Sequence, residues 1–160
     1  MNEDIVCKDP DDTFELGRRI GGTLRSGDVV LLYGGLGAGK TLLTKGMLAG
    51  LDFDVDEVTS PSFTLVNQYK TDKFDVFHID LWRLDDVDDA ANAVGLDEII
   101  EDGNSVAVIE WAERLRGQLP GDRTITIEIS GDGMAERQIK VTTSTQTDST
   151  GIGRNPAGGG

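Results

Sequence analysis

Residues 34–41 read Gly-Gly-Leu-Gly-Ala-Gly-Lys-Thr and complete the spacing G-x-x-x-x-G-K-[ST]. The chemistry of that spacing is phosphate binding. Glycines allow the backbone angles that turn successive N–H groups inward around an anion. The loop then delivers the anion to a helix N-terminus, where unpaired N–H groups and the helix dipole favour negative charge. Lys40 is expected to contact the β- and γ-phosphates, and the Thr41 hydroxyl to ligate Mg²⁺. Gly34, Leu36, Gly37, Ala38, Gly39 and the following Leu42 complete the expected cofactor-binding set. The plainer alternative is a tight strand-to-helix turn that happens to contain Gly-Lys-Thr. Context speaks against it, because an apolar run precedes the loop and a helical pattern follows.

A phosphate loop needs a second group to hold the metal and another to orient water. Two acids end apolar runs. Val106-Ala107-Val108-Ile109-Glu110 has the form of a Walker B strand, and Glu110 is expected to coordinate Mg²⁺, directly or through water. Val76-Phe77-His78-Ile79-Asp80 offers the second acid, and Asp80 is expected to position the attacking water or to support the metal shell. Strand alternation puts His78 and Asp80 on one face. His78, the only histidine, would either tune Asp80 or serve as a hydrogen-bonded structural residue. Arg83, Arg114 and Arg116 could neutralise transition-state charge, although solvated or salt-bridged arginines are the plainer reading. Trp82 and Trp111 would wall a nucleotide pocket or pack in the core. Cys7 has no nearby base and reads as inert.

These residues need a scaffold. Val29–Tyr33 and Val106–Ile109 are continuous apolar runs, the pattern of strands buried on both faces of a parallel sheet. Asp12–Leu24 and Lys40–Ala49 carry helical spacing, and Asp85–Glu101 reads as one or two short helices broken near Gly95. Ala112–Leu119 fits a short helix that stops before Pro120. Phe63–Val66 and Phe74–Ile79 read as strands. Arg123–Ile129 and Glu136–Thr143 alternate around Gly131-Asp132-Gly133 and read as an antiparallel hairpin. The class is α/β: a three-layer, P-loop NTPase-like arrangement with a mostly parallel central sheet and antiparallel edge strands. One domain is expected over residues 1–144, followed by a disordered Gly-rich tail over 145–160.

Composition narrows the classes. The 160 residues carry 15 basic and 29 acidic side chains, a formal charge of −14. So acidic a chain repels polyphosphate, which disfavours a large nucleic-acid-binding face but leaves room for a small local phosphate site. Asp outnumbers Glu by 20 to 9. Two explanations stand side by side: adaptation to a salty cytoplasm, or an ordinary acidic surface. No apolar run approaches the roughly 18 residues of a membrane span, and the acidic N-terminus lacks the pattern of a signal peptide. One cysteine forms no internal disulfide, which fits a reducing, cytoplasmic setting.

Four blocks together resemble the TsaE family of small P-loop ATPases in bacterial tRNA threonylcarbamoyladenosine synthesis. They are Leu32–Thr41, Thr59–Tyr69, His78–Leu84 and Ile109–Trp111, and the resemblance spans about residues 10–130. Gly35, Ser62 and Trp82 stand where the family usually has Asp, Thr and Tyr. The resemblance implies that Lys40 and Thr41 serve ATP and Mg²⁺, and that Ser60–Thr64 belong to a nucleotide-sensitive switch. Asp80 would contribute to hydrolysis and Glu110 would bind Mg²⁺. Trp111 would lie close to the nucleotide, and Thr13 of the N-terminal helix would approach it. It also implies partners: a TsaB/TsaD-type complex, or a TsaD-related protein in an archaeon. In that complex TsaD modifies adenosine 37 of tRNA and this chain meets tRNA only indirectly.

Two other classes share the phosphate loop. A small-molecule or nucleotide kinase would need an acceptor pocket and usually an Arg-rich lid, and no lid-like segment stands out. A nucleotide-gated binding module would bind ATP with little turnover. A GTPase is disfavoured by the lack of an [NT]-K-x-D segment after the switch, and an ABC-type ATPase by size and the lack of an LSGGQ-like signature.

Overall fold

The structure, a computed structural model, describes residues 2–35, 39–58, 65–81, 95–101, 103–112, 123–131 and 136–145. Its strands are β1 (Asn2–Cys7), β2 (Asp28–Tyr33), β3 (Val66–Lys70), β4 (Asp75–Asp80), β5 (Ser105–Glu110), β6 (Arg123–Ser130) and β7 (Arg137–Thr145). Its helices are α1 (Pro10–Gly21), α2 (Lys40–Ala49) and α3 (Leu96–Glu101), with a 3₁₀ turn at Val55–Glu57. The strands form one sheet in the order β1-β7-β6-β2-β5-β4-β3. The four central strands β6, β2, β5 and β4 are parallel, whereas β3 and the β7–β1 pair are antiparallel additions at the two edges. The expected α/β class, parallel centre and antiparallel edges all hold. No described helix is long and apolar enough to cross a membrane.

Both faces of β2 and β5 are dry, as their unbroken apolar runs require. Val30, Leu32, Val106 and Val108 face α1 and α2, where Leu16, Leu43 and Met47 meet them. Val29, Leu31, Ala107 and Ile109 face the other way, toward Leu81 and Leu96. Fully burying side chains of this size stabilises the fold by roughly 1.5–3 kcal/mol each.

Helix α1 begins two residues before the expected Asp12. The Asp9 side chain accepts the Asp12 N–H at 2.9 Å and Pro10 occupies the first turn, where its missing N–H costs nothing. It ends at Gly21, while Leu24 turns back into the core beyond the helix. Helix α2 spans the residues expected of it. The two helices cross unusually closely, and paired glycines make this possible. A Cβ on Gly17 would lie 2.3 Å from the Leu43 carbonyl oxygen, and one on Gly46 would lie 2.2 Å from that of Phe14. Gly21 and Gly50 repeat the relation one turn further along, at 2.1 Å from Met47 O and 2.3 Å from Arg18 O.

Two details depart from the sequence pattern. Strand β1 was not anticipated, because Asn2-Glu3-Asp4 is polar; it pairs with β7 from Asn2↔Thr142 to Cys7↔Arg137 at an exposed edge, where polar side chains are tolerated. Of the strand expected at Phe63–Val66, Phe63 and Thr64 lie outside the described residues, Leu65 has φ +69°, which no strand admits, and β3 starts at Val66. Of the segment Asp85–Glu101, the described part is α3, which Gly95 (φ +69°) precedes at the expected break. The expected helix over Ala112–Leu119 lies, beyond Ala112, outside the described residues, as does the expected tail beyond Thr145.

Candidate nucleotide site

The site lies at the carboxyl edge of the parallel strands, where β2 gives way to the glycine loop and α2. Its frame is set by register. Leu32 of β2 stands beside Glu110 of β5, and Glu110 stands beside Asp80 of β4. The two acids that end apolar runs are therefore immediate neighbours, Glu110 one strand and Asp80 two strands away from the strand that leads into the loop. Both are buried, at 4% exposure each.

Lys40 is the first residue of α2 and is 6% exposed. Its Nζ donates to the Gly34 carbonyl at 2.7 Å and lies 4.2 Å from the centre of the Trp111 ring. A neutral carbonyl and an aromatic face hold the ammonium inside the loop; a phosphate oxygen, being charged, is the stronger acceptor. Gly39 caps α2 at φ +104° with no side-chain hydrogen bond. Gly39 itself thus offers no side chain to the first-turn N–H groups of α2, the kind of helix start that suits an anion, and the left-handed angle suits glycine.

Trp111 follows Glu110 at φ +59°, a left-handed angle that is uncommon for an aromatic residue. Leu65, also left-handed, presents its carbonyl to the Asp80 N–H at 2.9 Å. Among the described residues, two of the three non-glycine residues with positive φ thus flank the paired carboxylates, and such angles cost of order 1–3 kcal/mol each. Thr13, on α1 and 2% exposed, comes within reach of the loop: its Cγ2 lies 3.8 Å from where a Gly39 Cβ would stand. The same threonine hydrogen-bonds the buried Cys7, whose thiol is pushed up first by burial and kept protonated.

His78 does not turn to Asp80. Its Nε2 lies 2.5 Å from Glu110 Oε2, and both side chains are buried. Alternation along β4 correctly puts His78 and Asp80 on one face. The closer carboxylate is nevertheless across the strand boundary, because His78 pairs with Val108 and Glu110 lies two residues further along β5. Strand order is what a single sequence does not display. The glycine-lined helix crossing that carries Thr13 to the loop was also missed. Its signal was available as Gly-x-x-x-Gly at Gly17/Gly21 and again at Gly46/Gly50.

Among the expected site residues, Thr13, Gly34, Gly39, Lys40, Asp80, Glu110 and Trp111 share this edge, and Thr41 and Leu42 follow in the first turn of α2. Leu36, Gly37, Ala38, the segment Ser60–Thr64, Trp82, Arg83, Arg114 and Arg116 lie outside the described residues. Among the described residues, no three His, Cys, Asp or Glu side chains gather around a common point. A magnesium ion at a phosphate loop needs no such cage, since it takes one or two protein oxygens together with phosphate oxygens and water. The donor set at this edge, a hydroxyl and two carboxylates, is of the hard oxygen kind that Mg²⁺ prefers.

The model of the family described as "Threonylcarbamoyl adenosine biosynthesis protein TsaE" matches residues 7–139. The chain belongs to the TsaE family. It is 38% identical to the tRNA threonylcarbamoyladenosine biosynthesis protein TsaE of Treponema pallidum over 136 residues, covering 85% of this chain and 97% of the relative. The TsaE protein of Bacillus subtilis is 37% identical over 134 residues, covering 83% and 80%. That of Aquifex aeolicus is 34% identical over 140 residues, covering 87% and 95%. The crystal structure of YdiB from Bacillus subtilis superposes with a TM-score of 0.71 at 28% identity, covering 98% of this chain and 97% of that one. The matched span runs from the end of β1 through the first residues of β7, so this TsaE chain carries the whole parallel sheet and its loop within the family match.

Proposed function

We propose that this TsaE chain binds Mg-ATP at the Gly34–Thr41 loop and hydrolyses it to ADP and phosphate, slowly when alone. In the cytoplasm it would act as the accessory factor that drives or resets a TsaB/TsaD-type complex making N6-threonylcarbamoyladenosine at position 37 of tRNA. One observation carries the reading. A buried lysine at the head of a glycine-capped helix faces the edge where two buried carboxylates stand in register, Glu110↔Asp80. Membership of the TsaE family supports the pathway.

Each residue has a part in this reading. Lys40 exchanges the Gly34 carbonyl for the terminal phosphate oxygens and balances the charge that spreads over them. Thr41 and Glu110 would hold Mg²⁺, which would supply neutralisation of the phosphate charge. Asp80 orients the attacking water and accepts its proton. Trp111 walls the pocket, and Thr13 approaches it from α1.

The test is phosphate release from Mg-ATP by the wild type and by Lys40→Ala, alone and with TsaD-type and TsaB-type proteins. Slow turnover that rises with the partners and vanishes in the variant supports the proposal. Turnover indifferent to the partners removes the pathway role. Phosphate transferred to an added acceptor instead of water replaces the hydrolase by a kinase.

A further inference from the structure

The imidazole of His78 occupies a position that an apolar side chain would fill more cheaply. It is fully buried on β4, beside Val108 of β5 and Asn67 of β3. Its Nδ1 has no hydrogen-bond partner among the described residues, so the ring carries a polar atom that burial penalises. Nε2 is the atom that makes contact, 2.5 Å from Glu110 Oε2. A proton on Nδ1 would be a buried donor without an acceptor. Nε2 is accordingly the ring nitrogen through which the imidazole meets the carboxylate. The hydrogen bond is charge-assisted and lies in a dry sheet, where such bonds are strongest.

The geometry points to a role that rests on the function proposed above: we infer that His78 is the positioning residue for Glu110. It fixes Oε2 and so holds the carboxylate in one orientation, the one in which it would meet Mg²⁺. A glutamate has three rotatable bonds, and here it sits at a strand end directly before a left-handed residue, Trp111. Without the imidazole those bonds are free to rotate and the carboxylate loses its fixed orientation. Residues that orient a metal-bound ligand in this way typically change metal affinity by about 10–100-fold when removed.

The experiment uses the full chain and three substitutions. His78→Leu fills the space and removes the donor. His78→Gln brings an amide N–H to the place of Nε2, whereas His78→Asn reaches only the place of Nδ1. Calorimetry measures ADP binding in EDTA and in Mg²⁺, and Mg²⁺ titration of phosphate release gives the half-saturating concentration. The expected result is a rise of about 10–100-fold in half-saturating Mg²⁺ for the Leu and Asn variants, with ADP affinity in EDTA unchanged and Gln returning toward wild type. In a Glu110→Gln background, His78→Leu should add nothing, since its effect runs through that carboxylate.

A histidine that only fills the core would lower the melting temperature of the variants and leave the Mg²⁺ requirement alone. That result, or a Gln variant no better than Asn, overturns the inference. Should His78→Leu fail to fold, the contrast between Gln and Asn decides it. A wild type with no Mg²⁺-dependent binding or turnover refutes the proposed function and this inference together. A Mg²⁺-dependent wild type whose His78 variants keep its Mg²⁺ requirement refutes the inference alone.

Discussion

Two carboxylates are buried at opposite ends of the central sheet. Asp28 opens β2 at 2% exposure, and Glu110 closes β5 at 4%. At the amino edge, Asp28 Oδ2 accepts the Arg25 N–H at 2.8 Å, and Oδ1 lies 3.7 Å from Nε of Arg123, its register partner on β6. Those contacts tie a turn to a strand. At the carboxyl edge, Glu110 meets an imidazole from the next strand and stands beside a second acid, Asp80. Equal burial therefore conceals different work. Asp28 closes the tight turn from which β2 starts. Glu110 sits at the edge where β2 leads to the glycine-capped N-terminus of α2, the edge at which open α/β sheets take their ligands.

The largest effect expected from this contrast comes from Lys40→Ala. Losing one preorganised charge on the reacting phosphate should lower the hydrolysis rate by at least about 10²–10³-fold, or about 3–4 kcal/mol. Far-UV circular dichroism should show an unchanged fold. Asp80→Asn and Glu110→Gln should follow at about 10²-fold each, with Glu110→Gln also raising the Mg²⁺ requirement and Asp80→Asn leaving it near wild type. Asp28→Asn should leave turnover at the wild-type value. If the substitution at the amino edge slows hydrolysis as much as those at the carboxyl edge, the distinction between the two ends collapses.

A smaller effect, on stability, is expected where α1 meets α2. The Cβ of Gly46→Ala would lie 2.2 Å from the Phe14 carbonyl, so the helices must move apart. Overpacking of this kind costs about 1–3 kcal/mol, readable as a lower urea midpoint. Nucleotide binding should weaken with it, because the same crossing brings Thr13 to Gly39. Gly22→Ala is the control. Its Cβ would meet nothing closer than 3.6 Å, and its stability should stay within about 0.5 kcal/mol of wild type.

The contrast also separates what the sequence displays from what it hides. The phosphate loop is contiguous, so its residue types and its flanking strand and helix are visible together. Glu110 and Asp80 are legible one at a time, as acids that end apolar runs. Their adjacency is not, because it depends on β5 lying between β2 and β4. The same gap left Glu110 out of the partners weighed for His78: alternation within a strand is written in the sequence, whereas the neighbour across a parallel ladder is not. Strand β1 escaped notice for another reason. Its stability comes from β7's hydrogen bonds and from the burial of Cys7, not from the polar residues that begin it.

The smallest expected effect is the pH response of Asp28. Burial raises its carboxyl above the ordinary value, outweighing the Arg25 N–H and the charges of Arg123 and Arg25, which lower it. The folded state therefore binds this proton more readily than the unfolded chain does. What Asp28 contributes to stability is greatest below the unfolded pKa and is lost as pH rises through the folded one. Asn mimics the protonated form at every pH. The stability of Asp28→Asn relative to wild type should accordingly improve between about pH 3 and pH 7, as followed by urea unfolding at several pH values. The opposite trend would mean that the ion pair with Arg123 outweighs burial, and that the amino-edge acid is held chiefly by charge and not by the turn it closes.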